Sequence, residues 1–336
     1  MLYQIASNMR TLLILAVLLN YVAVFSQTLS GFNQTHFANH ITDGNCKVVP
    51  ALVHRVIKEI PAERRQWCRF PGGTVANFWN VDMLGHTPAE AKNSKWQRNK
   101  ISPIVPFIEA SKIIGWDVIP VINLVEIYNG KYTFEQGMAL NLRMIKMFVD
   151  AGINVPYIEL GNELNIWMNI KGNSEYIRNK AEYDREIQKY YDLSVRANML
   201  IKSIYPDIKT AAVSARFGYN ARDNKWSSLF NYGDWDGIVI HHYEDSADPK
   251  IWKERIAEMK QQADFAGKEL LLTEVNVKLG PSVNSPAYRT NIKQTWLRDY
   301  QSAIWDICKR LKVNVLGYHN ISGTDGHIYN YLNYAK

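Results

Sequence analysis

Glu163 and Glu274 are the residues of this 336-residue chain with the most chemistry to offer. Each closes an apolar run. Tyr157-Ile158-Glu159-Leu160 leads into Gly161-Asn162-Glu163, and Leu270-Leu271-Leu272-Thr273 leads into Glu274. Such runs suit strands buried on both faces. A carboxylate at the end of one is costly unless it is exposed in a site or firmly paired. Two carboxylates facing each other across a cleft suit cleavage of a glycosidic bond. One, protonated, gives its proton to the leaving oxygen; the other, ionised, attacks or activates water. Trp79 and Trp167 lie near the same chain segments, and their indole faces could stack on the apolar faces of sugar rings. Asn123 and Glu126 are further candidates to line such a cleft. His241 and His242 make a poor metal pair, because neighbours on a strand point to opposite faces. No metal and no cofactor are expected.

The elements that must position these residues alternate along the chain. Strand candidates are Thr28–Asn33, Gln66–Phe70, Asp117–Asn123, Val155–Leu160, Ile208–Val213, Gly237–His241, Leu270–Glu274 and Val313–Tyr318. Helical patterns fall at Val48–Glu59, Ile101–Ile114, Phe134–Ala151, Ala181–Ile204, Pro249–Ala266 and Tyr288–Lys309. Eight strands alternating with helices predict an α/β fold, a (β/α)₈ TIM barrel, as one domain over residues 27–336. A doubly wound sheet lacks support, since no Gly-rich phosphate loop follows the first strand. Only His319 to Lys336 remain after the eighth strand, so a reduced last helix is expected. Barrel catalysis sits at the C-terminal strand tips. Those tips carry Arg69 to Thr74, Asn123, Gly161 to Leu164, Ser214, His241 to Tyr243, Thr273 to Asn276, and His319 with Asn320. Glu163 and Glu274 would face each other from strands four and seven.

These tips match a known pattern. Gly161-Asn162-Glu163 resembles the Asn-Glu of clan A glycoside hydrolases, whose strand-four Glu is the acid/base. Leu272-Thr273-Glu274-Val275-Asn276 resembles the strand-seven nucleophile motif of that clan. Arg69-Phe70-Pro71-Gly72-Gly73-Thr74 is similar to the second-strand segment of family 51, which contains α-L-arabinofuranosidases, and of families 39 and 79. The resemblance implies a retaining glycoside hydrolase acting on an oligo- or polysaccharide, with its carboxylates about 5–5.5 Å apart. It implies that Arg69 supports the nucleophile, that Asn162 binds the sugar 2-hydroxyl, that Tyr243 donates a hydrogen bond to Glu274, and that His241 lines the subsite holding the cleaved sugar. Those families usually add a β-sandwich after the barrel, for which this chain has no residues. The competing reading is a catalytically silent barrel that binds glycan.

Composition leaves room for this and closes other routes. A hydrophobic fraction of 47% and a charged fraction of 21% describe an ordinary globular chain. The net charge is +7, yet no run of Lys/Arg with interleaved aromatics marks a nucleic-acid partner. Arg10, the apolar run Thr11 to Leu19 and small residues up to Ser26 read as a signal peptide over residues 1–26, so a secreted or periplasmic protein is expected. No membrane segment is expected once the signal is removed. Export would permit disulfides. Cys46, Cys68 and Cys308 allow one bridge and one thiol, or a buried free Cys68. Asn33-Gln34-Thr35 and Asn320-Ile321-Ser322 match the N-glycosylation acceptor.

Overall fold

The computed structural model describes residues 28–33, 48–83, 104–167, 177–218, 220–244, 246, 248–277 and 294–319. Nine strands lie in chain order: β1 (Leu29–Asn33), β2 (Trp67–Phe70), β3 (Asp117–Pro120), β4 (Tyr157–Leu160), β5 (Lys209–Val213), β6 (Gly237–Val239), β7 (His242–Glu244), β8 (Glu269–Val277) and β9 (Val315–His319). All pair in parallel, in the order β3-β2-β1-β9-β8-β6-β5-β4. β6 and β7 follow one another along the same edge of β8, so nine segments fill eight positions. The two ends of that order meet. Val121 bridges Glu159, the Val118 N–H donates to Asn154 O at 3.0 Å, and the Ile122 N–H donates to Glu159 O at 3.0 Å. The sheet is therefore closed into the expected barrel.

Helices run outside it: α1 (Pro50–Glu59), α2 (Ile104–Ile114), α3 (Val125–Tyr128), α4 (Phe134–Asp150), α5 (Leu164–Trp167), α6 (Lys180–Ile204), α7 (Ala221–Phe230), α8 (Pro249–Phe265) and α9 (Gln294–Arg310). α4 starts where the sequence says it should. Thr133 accepts from the Gln136 N–H, and the Gln136 side chain accepts from the Thr133 N–H, so two orphan donors are satisfied together. α7 went unread in the sequence. Its first turn is held by Asn220, which accepts from the Asp223 N–H, but its apolar residues follow no clear stripe. None of the described helices is long and apolar enough to cross a membrane. Residues 1–27, 34–47 and 320–336, with the expected signal, the reduced last helix, Cys46, Thr35 and Ser322, lie outside the described residues. Cys68 and Cys308 are both free and buried, and burial raises both thiol pKa values.

Two cores divide the apolar residues by strand parity. Trp67, Ile119, Tyr157, Ala211, Val239, Leu271 and Val315 point inward and fill the barrel. Phe70, Ile158, Leu160, Ile238, Leu270, Leu272 and Val275 point outward and pack against the helices. The floor of the barrel is sealed by polar contacts. The Tyr157 hydroxyl donates to Glu269 Oε2 at 2.9 Å, and Lys209 Nζ donates to Glu269 Oε1 at 2.6 Å. With the floor closed and the middle filled, the place the barrel itself offers a ligand among the described residues is its upper mouth.

Candidate active site

Parity delivers the polar residues to that mouth. Arg69 is two residues beyond inward-facing Trp67, Glu159 two beyond Tyr157, and His241 two beyond Val239. Glu274 breaks the rule, lying three beyond Leu271. The reason is a bulge. Leu272 pairs with Leu316 and Val275 with Tyr318, so two β8 residues, Thr273 and Glu274, oppose the single Gly317. One extra residue inverts the parity of all that follows. Glu274 thus turns to the mouth, and Val275 returns to the outer core. Gly317 makes room for it: a Cβ there would sit 2.6 Å from the Thr273 carbonyl oxygen and 2.6 Å from the Trp67 ring.

Glu163 arrives by a different turn. After β4 the chain takes a left-handed step at Gly161 (φ 94°) and another at Glu163 (φ 45°) before α5 begins. Gly161 needs to be glycine twice over, since a Cβ would also meet the Leu164 side chain at 2.8 Å. For Glu163 the left-handed backbone costs about 1–2 kcal/mol, strain placed on the residue that presents the second carboxylate.

The two glutamates meet around His241. His241 Nδ1 lies 3.1 Å from Glu163 Oε1 and 3.6 Å from Glu274 Oε2, and one oxygen of each carboxylate and the imidazole nitrogen all lie within 4.8 Å of one another. Both oxygens of Glu274 are held. Arg69 Nη1 donates to Oε1 at 2.6 Å, and the Tyr243 hydroxyl donates to Oε2 at 2.7 Å. Glu163 is the more open of the two, with its side chain 24% exposed against 6% for Glu274.

The electrostatics follow from burial and pairing. Burial opposes the charged form of Arg69, but Glu159, Glu274 and Glu163 outweigh it and its pKa is raised, so the cation is fixed. His241 is balanced the same way. Burial lowers its pKa, yet Glu274 and Glu163 raise it by more, against Arg69. Tyr243 is pushed well up, first by burial and then by Glu274, so it keeps the proton it donates. Glu274, held by two donors, beside a more exposed Glu163, is an asymmetric pair.

Not every expected site residue takes the place foreseen. Arg69 is 0% exposed and donates to Glu274 and Glu159, beside the expected nucleophile rather than open to a substrate. Trp79 was expected as a stacking platform; it is 3% exposed and packs edge-on against Phe70, so it is part of the core. Asn123 and Glu126 brace the loop after β3. Asn123 donates to Trp79 O and Glu126, and Glu126 is paired with Lys131 at 2.7 Å. Trp167 ends α5, and its side chain lies outside the described residues, as does that of His319. Asn162 is buried at the foot of the Glu163 turn, with neither amide atom partnered among the described residues. His241 and His242 do diverge. His242 turns outward to pack edge-on against Trp252. The set that could hold a metal ion is instead Glu163, His241 and Glu274, a combination not foreseen from adjacent histidines.

Glu159 was missed. It accepts from Arg69 Nη2 at 2.5 Å and from Nε at 2.9 Å, and both side chains are closed to solvent. The signal was present: a lone charge inside an apolar run, at the same parity as Tyr157.

No family model matches the chain, and no curated protein matches it in sequence. Solved structures do match the fold. An α-L-arabinofuranosidase from Thermotoga maritima superposes with a TM-score of 0.54 at 16% identity, over 88% of this chain and 64% of that one. A family 51 α-L-arabinofuranosidase from Bifidobacterium longum gives 0.55 at 14%, over 87% and 67%. A Bacteroides uniformis β-glucuronidase gives 0.54 at 12%, over 88% of this chain and 30% of that one. The chain thus shares the barrel fold of these proteins and spans 64% of the length of the first.

Proposed function

We propose that this chain is an exported retaining glycoside hydrolase that cleaves O-glycosidic bonds of an oligo- or polysaccharide. The observation that carries the reading is the asymmetric carboxylate pair: oxygens of Glu163 and Glu274 within 4.8 Å, with both oxygens of Glu274 held by Arg69 and Tyr243. That closeness fits the retaining geometry, in which the carboxyl groups are about 5–5.5 Å apart; an inverting pair needs roughly 6.5–9.5 Å to admit water. Glu274 attacks the anomeric carbon while Glu163 gives its proton to the departing oxygen. This leaves a glycosyl ester on Glu274 and releases an alcohol. Glu163, now a base, takes a proton from water, whose oxygen displaces Glu274 from the sugar. Asn162 binds the sugar 2-hydroxyl. Its unpartnered amide atoms support this role, since a buried amide without a partner is costly until a ligand supplies one. Residues 1–26 act as the export signal, and the N-terminus of exported protein falls near Gln27.

The test is product stereochemistry. Proton NMR of the first-formed hemiacetal, on an aryl glycoside that is turned over, shows the substrate's own anomeric configuration. Glu274→Gly abolishes turnover, and azide restores it as a glycosyl azide of inverted configuration. A first product of opposite configuration makes Glu274 a base. No turnover across a broad panel of glycosides and polysaccharides, with glycan binding intact, leaves a binding barrel.

A further inference from the structure

His241 stands between the two glutamates with more neighbours than one ring nitrogen can serve. Its Nδ1 lies 3.1 Å from Glu163 Oε1 and 3.6 Å from Glu274 Oε2, and one N–H can donate to only one of them. The other ring nitrogen, Nε2, lies 3.4 Å from the Thr273 hydroxyl oxygen. When Nε2 carries the ring proton and donates it to Thr273, Nδ1 turns a bare lone pair toward two carboxylate oxygens. Three lone pairs then converge on one point, as they do around a bound cation.

The spacing suits zinc. With bonds of about 2.0–2.2 Å, two ligand atoms on a tetrahedral ion are roughly 3.3–3.6 Å apart. Here two sides of the triangle are 3.1 and 3.6 Å, and all three atoms lie within 4.8 Å of one another. Closing the longest side needs a turn of Glu163, the more open carboxylate. The supporting contacts are in place. A metal-bound imidazole rests its other N–H on an acceptor, here Thr273, and ligating carboxylates are themselves hydrogen-bonded, here Glu274 by Arg69 and Tyr243. Arg69 repels a cation, and three carboxylates answer it: Glu159, Glu274 and Glu163 all act on that guanidinium. Three protein ligands leave one position open on a four-coordinate zinc. The imidazole selects against magnesium and calcium, which take oxygen. The ion has a way in, through a cavity of about 590 Å³ that Glu163, His241 and Tyr243 help to line.

We propose that Glu163, His241 and Glu274 form a zinc site, and that zinc bound there shuts the carboxylate pair reversibly. The ion is an inhibitor and not a cofactor. It takes the Glu274 lone pair that attacks the sugar and fills the space the anomeric carbon enters. The block rests on the glycosidase reading; the binding does not. Zinc chloride is titrated into the full chain by calorimetry in a non-chelating buffer. Cobalt(II) is read by its visible d–d absorption, which is intense for a four-coordinate ion and weak for a six-coordinate one. One zinc binds with micromolar affinity or better, at least about 100-fold tighter than magnesium, and cobalt gives the intense band. Glu163→Gln and His241→Gln each weaken zinc by about 100-fold or more, since each removes a ligand and not merely a supporting contact. Thr273→Val keeps all three ligands and weakens it by about 10-fold. His54→Gln, on the exposed face of α1, leaves it unchanged. Glu163 sits at the open rim, so its variant carries the test if His241→Gln folds poorly. On a glycoside that is turned over, zinc competes with substrate and EDTA restores the rate. No zinc binding at millimolar concentration overturns the inference. So does binding that survives Glu163→Gln or His241→Gln in a folded chain, as an adventitious ion's would, or bound zinc that leaves turnover untouched. Turnover of glycosides stands whether or not zinc binds, and zinc binding is read without turnover, so the two readings fail separately.

Discussion

Replacing Glu159 by Gln tests the electrostatic logic of the site at one point. The Arg69 guanidinium, closed to solvent, is divided between two carboxylates, with Nε and Nη2 on Glu159 and Nη1 on Glu274. Gln keeps the shape and an acceptor oxygen but removes a charge. The Arg69 nitrogens hold Glu159 and Glu274 at 2.5 and 2.6 Å, and across a guanidinium such oxygens are roughly 7 Å apart, the separation taken for Coulomb's law. At an effective dielectric of about 20, a unit charge there acts on Glu274 with about 2.4 kcal/mol, equivalent to about 1.7 pH units. Relaxation of Arg69 and water at the mouth reduce this to roughly one unit. Removing a like charge favours ionised Glu274, so the acidic limb of kcat/KM moves down in pH by about one unit. A less basic nucleophile also lowers kcat at the optimum. The assay is a pH profile on an activated aryl glycoside, with thermal unfolding as a control. Arg69 keeps an acceptor there but loses one of its paired charges, and weakening a buried pair costs up to about 3–5 kcal/mol. An acidic limb that stays put or moves upward in a folded variant refutes the reasoning.

Other outcomes follow from the same geometry. Tyr243→Phe removes a 2.7 Å donor from Glu274 and lowers kcat by about 10- to 100-fold, the worth of a hydrogen bond to a charge; an unchanged kcat would place that bond outside the reaction. Gly317→Ala drives a Cβ against the Thr273 carbonyl, costing about 1–3 kcal/mol in urea unfolding and disturbing Glu274, so stability and activity fall together. His242 governs acid stability: its pKa of about 4 lies below the ordinary 6.5, so the unfolded chain takes up the proton first. The stabilisation is complete above about pH 6.5 and drains toward pH 4, by about 3 kcal/mol in all. Urea unfolding of His242→Gln across that range shows a correspondingly shallower loss. His241 acts in the opposite window. Its pKa is raised, so its contribution is complete below 6.5 and is lost as pH rises through the raised value; His241→Gln flattens that alkaline decline.

The barrel and its two glutamates were legible because both rest on local pattern. Apolar runs of four or five residues mark strands whatever they pair with, and a charge ending such a run marks a tip. Boundaries were less so. The strand expected over Gly237–His241 breaks after Val239 and resumes at His242, and the one expected over Leu270–Glu274 runs from Glu269 to Val277. Both differences have one cause, the extra residue in β8, which shifts its register on β6 and β7 as well as on β9. Period-two reading would send Glu274 outward with Leu270 and Leu272. Nothing in Leu-Leu-Leu-Thr-Glu-Val-Asn announces a bulge, because the residue that permits it is Gly317, on the neighbouring strand and distant in sequence. Trp79 failed for a related reason. Its position after a strand tip was readable, but whether an indole faces the cleft or Phe70 depends on a ring contact that no spacing encodes. Glu159 is different again. Its charge was plain in the sequence, and what was missing was the partner: Glu159 acquires meaning only when closure brings β4 against β3 and β2 beyond it. The chemistry of single residues is therefore local, while its tuning is a property of the closed sheet, which is why substitutions at Glu159 and Gly317 probe the site more sharply than any at its visible glutamates.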